Sequence, residues 1–495
     1  MSEKKTVEWN STFAFMMAMI GSAVGLGNIW RFPNVLYANG GGSFMIPYIV
    51  SLFLLGISFV LVEYAVGYRF KKSVGKILFE ISKKLEPIAW FIVLVVFLIT
   101  TYYVCVVGWD LIYVVLSFTK AWGADPNLFF SSNVLQATDA LSGFFQIVPM
   151  VLASVFAVWL IIWLIVKRDL NDGIGNVSKI LMPLLCLIVV FIVIFSLTLP
   201  GASVGYTQIF TPDWGALTNL DVWLAAFGQI VFSLSLGMAI AMTYASYLPD
   251  KSKLVDSAVT VAFSNSIFEV FNSIGIFSIL GFMFVSTGIP FDELVTSGTG
   301  LAFVVFPQVL NTLGPMGYVI GPLFFLCILF AGITSAIALL EVATYAISEK
   351  FDIGRKKTVT MICVLGFIIS IIFTTSLGST ILGAFDAFLN NFALLLGILI
   401  ECIIFGWIYD FDKLISTLNK DSRIKVGKLW KIVIKFILPL CIAVLWIQGV
   451  YTTITTADQL SLFIMGILTV ILIVLPIVFT KLPAKNEDYY KITSE

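Results

Sequence analysis

Residues 21–33 read GSAVGLGNIWRFP, with three glycines in seven positions set into an apolar run that begins at Thr12. Each glycine costs about 1 kcal/mol relative to alanine in a helix interior, so the helix that this run forms is weak near its middle. Taken alone, Gly21 and Gly25 fit close helix packing through small residues. The run is too long and too interrupted for a cleavable signal peptide, and Arg31 lies in its outer part, so it belongs to the mature chain.

Outward from this stretch, similar runs recur to Thr480. The chain has 495 residues, 59% hydrophobic and 12% charged, far from the roughly 45–50% apolar and about 25% charged of soluble domains. A hydrocarbon core about 30 Å thick needs about 20 apolar residues per helical crossing, and the sequence supplies about twelve such runs. They cover 12–37, 42–68, 88–118, 147–167, 175–199, 222–247, 255–283, 318–348, 356–376, 380–408, 430–452 and 460–480. The predicted fold class is an all-α integral membrane protein.

Basic residues fall on alternate connections: Lys4 and Lys5, then Arg69 to Lys84, then Lys167, Arg168 and Lys179, then Lys251 and Lys253. Arg355-Lys356-Lys357, the stretch from Lys413 to Lys431, and Lys481, Lys485 and Lys491 continue the series, with Lys120 the exception on the other side. By the positive-inside rule both termini are expected in the cytoplasm, at the cell membrane, which demands an even number of spans. Topology accounts for these charges, and no nucleic-acid partner is expected.

The six cysteines all lie inside apolar runs without paired spacing, which points to neither a disulfide framework nor a metal site. Histidine is absent, which removes Ser-His-Asp and Cys-His catalysis and histidine-ligated metals. The chain is not expected to be an enzyme.

A second interrupted run, GQIVFSLSLGMA at 228–239, stands half a chain after the first. Irregular backbone at membrane depth survives only where it is buried in protein or lines a cavity. Two broken helices, each opening a group of five, point to a binding site in a transporter built from inverted repeats. The predicted organisation is an N-terminal segment 1–11, a first repeat 12–199, an external loop 200–221, a second repeat 222–408, a cytoplasmic loop 409–429, two further helices 430–480 and a tail 481–495.

With NGGGSFMIPY at 39–48 and FAGITSAIA at 330–338, these segments make the chain resemble the neurotransmitter:sodium symporters, the family of the bacterial leucine transporter, from Trp9 to about Trp407. The resemblance implies a 5+5 inverted-repeat core with helices 1 and 6 unwound, and two sodium sites. The first would use Ala23, Asn28, Ser233, Asn265 and the substrate carboxylate; the second would use the carbonyls of Gly21, Val24 and Ala331 and the hydroxyls of Thr334 and Ser335. All are hard oxygen donors suited to a hard cation. The implied substrate pocket comprises Ser22, Ala23, Leu26, Gly27, Ile99, Tyr103, Phe232, Ser233, Ser235, Met238, Ser335 and Leu339, with Tyr103 on the carboxylate and Phe232 as a lid. Ile99, Met238 and Leu339 offer a side chain no charge, so a neutral, apolar amino acid is expected. Amine-carrying relatives place an aspartate where this chain has Gly25.

Arg31 and Asp386 match the family's outer gate, and Trp9, Ser246, Tyr247 and Glu349 its inner gate. Thr6 stands where the family has an arginine, so Lys4 or Lys5 would substitute or the gate is weaker. Glu63 resembles a carboxylate that holds the broken helices; Glu341 and Glu401 are expected to make buried hydrogen bonds. Glu269 replaces a serine of chloride-dependent relatives beside Tyr48 and Gln229. A built-in carboxylate implies that no chloride is required, and it is expected to take up a proton when sodium leaves. An aromatic lid argues against a channel, and short ends argue against a sensor with an output domain. A homodimer is left open.

Overall fold

The computed structural model describes residues 7–296 and 298–492. The expected all-helical membrane architecture is borne out. Among the described residues, ten uninterrupted helices are long and apolar enough to cross a bilayer: α2 (Gly42–Phe70), α3 (Lys83–Ser117), α4 (Pro149–Val166), α5 (Asn171–Leu197), α7 (Leu254–Thr287), α8 (Gly314–Phe351), α9 (Arg355–Thr374), α10 (Gly378–Ile408), α11 (Lys428–Thr456) and α12 (Gln459–Lys481). An eleventh span, α1, is the pair Thr12–Ala23 and Gly27–Ala38, bent by 54°. The sixth predicted run, α6, is split into Leu220–Ser233 and Ile240–Ser246.

Local chemistry explains both interruptions. The first half of α1 starts on Ser11, whose Oγ accepts from the Ala14 N–H at 3.1 Å, and ends where Val24 turns extended (φ −73°, ψ 92°). Beyond the bend, Pro33 has no N–H to offer the Ile29 carbonyl. Asn272 of α7 supplies the donor instead, at 3.1 Å. In α6, Ser235, Gly237 and Ala239 all take positive φ (51°, 70° and 53°), which costs a non-glycine residue about 1–2 kcal/mol. The Ser235 hydroxyl offsets part of that by donating to the Ser22 carbonyl at 3.1 Å, tying one break to the other.

α3 and α8 lie side by side at the centre, with their most apolar stretches 83% buried, whereas those of α11 and α12 are 28% and 22% buried and form the periphery. Among the described residues, several connections hold short helices that the sequence reading left as loops, Val74–Ile81, Ala202–Phe210, Leu301–Thr312 and Phe411–Asp421 among them. The residues after α12 fold back onto the bundle. There Tyr489 is buried and its hydroxyl donates to Glu86 at 3.1 Å, beside the Lys350–Glu86 ion pair at 2.8 Å. Burial, then the neighbouring carboxylate, pushes the Tyr489 phenol well above its ordinary pKa.

Candidate substrate and cation site

The two breaks face each other across a cavity of about 550 Å³, and all twelve predicted pocket residues line it. Ile99, Tyr103 and Val106 reach it from α3, spaced i, i+4, i+7 on one helical face. Val106, Ile240, Trp30, Thr299, Leu382 and Asn390 also line it and were not foreseen. The Tyr103 hydroxyl is buried without a hydrogen-bond partner, an arrangement rare for a buried polar group unless something else binds there. Gly25 is favoured by closeness rather than backbone angle: a Cβ there would lie 3.1 Å from Ser335 Oγ, tight enough that the hydroxyl must give by a few tenths of an ångström, and 3.5 Å from the Tyr103 hydroxyl, an ordinary contact.

Beside the cavity the Asn28 amide lies between the two halves of the fold. Its Oδ1 accepts the Gly25 N–H at 2.8 Å. Its Nδ2 faces Asn265 Oδ1 at 2.8 Å, Glu269 Oε1 at 3.1 Å and Ser233 Oγ at 3.2 Å. Three acceptors thus converge on an amino group with two hydrogens, so the cluster is rich in acceptors and fits a hard cation. The expected Asn28 ligand was its side-chain oxygen; here the amino group points inward, because it satisfies the converging oxygens. A cation at this point requires the amide to turn over. Ala23 sits at the last position of the first half of α1, where helical carbonyls lose their partners.

The second predicted cation cluster joins α1 to α8. Ser335 Oγ lies 3.4 Å from the Gly21 carbonyl and 3.5 Å from that of Ser22. Thr334 Oγ1 approaches the carbonyls of Phe330 (2.9 Å) and Ala331 (3.0 Å) in its own helix. Val24 is buried at the end of the first half of α1, its N–H on Ile20. The hydroxyls of Thr334 and Ser335 and the carbonyls of Gly21, Val24 and Ala331, the last inside the unbroken α8, are all oxygen donors, the type a hard cation takes.

Glu269 is fully buried. It accepts from the Tyr48 hydroxyl and from Gln229 Nε2 at 2.7 Å, besides Asn28, and Tyr48 shares a further hydrogen bond with Ser266 at 2.9 Å. The carboxylate therefore fills the centre of a shell that includes Tyr48 and Gln229 and borders the Asn28 cluster.

At the outer end, Arg31 stacks its guanidinium 4.5 Å above the Phe232 ring, a cation–π contact. Asp386 accepts from Asn390 Nδ2 at 2.7 Å. No ion pair joins Arg31 to Asp386, the pair expected as an outer gate, among the described residues, and both line the cavity.

At the opposite end several elements are tied together. Trp9 donates through its backbone N–H to the Tyr247 carbonyl and through Nε1 to that of Tyr244, both at 2.9 Å. The Tyr247 hydroxyl donates to Glu341, which Arg355 grips with two bonds of 2.7 Å. Arg355 Nε also donates to the carbonyls of Val166 and Arg168, so one side chain ties α4, α8 and α9 together. Glu349 instead accepts from the Ser73 N–H at 2.9 Å, and Ser246 caps back onto Thr243 at 2.6 Å. Lys4, Lys5 and Thr6 lie outside the described residues.

Arg355 was read in the sequence only as a topology signal; the clue to its role was Glu341, a carboxylate inside a span that needs a cation. Removing one partner of a buried pair costs about 3–5 kcal/mol. Arg355→Ala is therefore expected to shift the population by at least 100-fold toward the conformer open at the Trp9 end, read as accessibility of a cysteine placed at Ser246; unchanged accessibility would remove Arg355 from the gate.

The comparisons agree with this architecture. A profile of the Sodium:neurotransmitter symporter family matches residues 6–142 and 124–480. An uncharacterized sodium-dependent transporter of Methanocaldococcus jannaschii is 42% identical over 87% of this chain and 88% of its own. The uncharacterized sodium-dependent transporter YhdH of Bacillus subtilis is 30% identical over 90% of this chain and 98% of its own. Among solved structures, the crystal structure of MhsT in complex with L-phenylalanine superposes with a TM-score of 0.76 at 31% identity, covering 89% of this chain and 99% of that one. The chain belongs to the Sodium:neurotransmitter symporter family. It is a multi-pass membrane transporter, a sodium-coupled symporter for a small molecule and not an enzyme.

Proposed function

We propose that the protein imports a neutral, apolar amino acid together with sodium across the cell membrane, with both termini cytoplasmic and without need of chloride. The observation that carries the reading is the unpartnered Tyr103 hydroxyl beside the acceptor-rich Asn28 cluster. A substrate carboxylate placed between them takes the phenol's hydrogen bond and completes the oxygen shell of a cation. The cation then binds better with substrate present and the substrate better with cation, a reciprocal coupling that lets the gradient drive uptake. A second cation at Gly21, Val24, Ala331, Thr334 and Ser335 ties the broken α1 to α8. The two five-helix repeats, 12–199 and 222–408, supply the moving and the fixed parts, spans 1, 2, 6 and 7 rocking against 3, 4, 8 and 9. The L-phenylalanine in complex with MhsT is of the proposed substrate class.

The test compares sodium-dependent binding of L-phenylalanine and L-leucine with that of phenethylamine, which has the aromatic side chain but no carboxylate. Binding of the amino acids alone is expected; sodium-dependent binding of phenethylamine at comparable affinity would overturn the carboxylate-sharing site. The apolar end of the pocket yields a second expectation. Truncating Ile99 or Leu339 to alanine removes methylenes worth about 0.8 kcal/mol each, so bulkier side chains should gain by roughly 10-fold relative to the native preference. A competition series with amino acids of graded size checks this, and an unchanged order would take both residues out of the side-chain end.

A further inference from the structure

Six cations fall within sixteen residues around the start of α11: Lys420, Arg423, Lys425, Lys428, Lys431 and Lys435. Topology asks only that positive charge lie on this side of the membrane; it accounts neither for this density nor for what is interleaved with it. Ile424, Leu429, Ile432 and Phe436 stand between the cations, and all four are exposed. With Trp407 and Ile408 at the end of α10, also exposed, they turn an apolar face outward from a peripheral helix whose most apolar stretch is only 28% buried. Trp407 fixes the depth of that face. Its Nε1 donates to the Lys435 carbonyl at 3.0 Å, and the Lys435 ammonium lies 5.3 Å from the centre of its ring. An amphipathic aromatic beside a lysine that reaches back toward water marks the headgroup level of a bilayer.

The carboxylates nearby are engaged elsewhere. Asp412 holds Lys431 at 2.8 Å. Asp256 accepts the Arg423 N–H at 2.8 Å, Asp410 accepts the Asp412 N–H at 3.1 Å, and Asp421 faces Tyr68 of α2 electrostatically. Lys425 donates to the Asn419 carbonyl. Among the described residues, the side chains of Lys420, Arg423, Lys425, Lys428 and Lys435 make no ion pair. Unpaired cations gathered at headgroup depth beside an exposed apolar face are complementary to a lipid that carries a phosphate at one end and hydrocarbon at the other. We infer that this segment is a docking surface for anionic phospholipid, with phosphodiester groups on Arg423, Lys425 and Lys428 and acyl chains along Leu429, Ile432 and Phe436. The surface is joined to the bundle through the connection before it: Arg69 of α2 donates to the Tyr409 hydroxyl at 2.8 Å and to Thr417 Oγ1 at 3.4 Å. Bound lipid therefore steadies the connection on which the inner end of α2 rests.

Quenching of Trp407 fluorescence by brominated lipids in the reconstituted full-length protein tests the surface locally. The part of the emission that Trp407→Phe removes is compared in bilayers containing equal fractions of brominated phosphatidylglycerol or brominated phosphatidylcholine. The anionic lipid is expected to be enriched roughly 10-fold beside Trp407, and Arg423→Gln/Lys425→Gln/Lys428→Gln, which leaves Lys435 on the ring, should lower the enrichment to about 2-fold. Equal quenching by the two lipids in the unaltered protein would overturn the proposal, as would an excess that survives the triple substitution. Inorganic phosphate added at matched ionic strength separates a lipid headgroup from a free anion. The excess should persist in phosphate; its loss would assign the cations to a soluble phosphate and refute the lipid surface.

Discussion

Asn28→Ala is expected to lose sodium affinity and substrate affinity together, each by roughly 10- to 100-fold, the size of effect that follows when a ligand or hydrogen bond to a charged group is removed from a buried site. The reason is geometric. Asn28 is the one side chain that touches Ser233 of α6 and Asn265 and Glu269 of α7 while resting on Gly25 in the break of α1. Without it, the Ser233, Asn265 and Glu269 oxygens lose the one amide that joins all three. Ser233→Ala should behave alike, since its hydroxyl accepts from both Asn28 and Asn265. Calorimetric titration of substrate at a series of sodium concentrations reads both affinities at once. Normal substrate affinity with normal sodium dependence in both variants would refute the assignment.

The second large effect concerns Glu269. In the unaltered protein, uptake should proceed equally well in chloride-free buffer, because a buried carboxylate already stands where an anion would sit beside the cation and two anions at that distance repel. In Glu269→Ser the pocket formed with Tyr48 and Gln229 loses its charge, and chloride should then stimulate uptake severalfold. Strong chloride dependence before the substitution, or full activity in chloride-free buffer after it, would each contradict the built-in anion.

Much of this was legible in the sequence, for particular reasons. The spans stand out because about twenty apolar residues in a row have few other uses. The breaks stand out because Gly25 and Gly237 interrupt such runs, and Gly25 leaves room for the close approach of Ser335. The helices Val74–Ile81 and Phe411–Asp421 were missed because they are short and lie outside the spans, where hydropathy carries little signal. Arg355 was missed because a basic cluster that sets topology looks the same as one that also grips Glu341. The way the Asn28 amide turns is a rotamer choice, settled by three converging acceptors that lie more than 200 positions away in the chain. Glu401 departs from its expected buried hydrogen bond altogether, since neither oxygen has a partner.

The central claim, that the sodium gradient drives an apolar amino acid through this site, is tested most directly by uptake of labelled L-leucine and L-phenylalanine into sealed liposomes containing the protein. With sodium outside and potassium inside, the label should accumulate above its external concentration and drain away when the gradient is collapsed. Equal uptake with and without the sodium gradient would contradict the account.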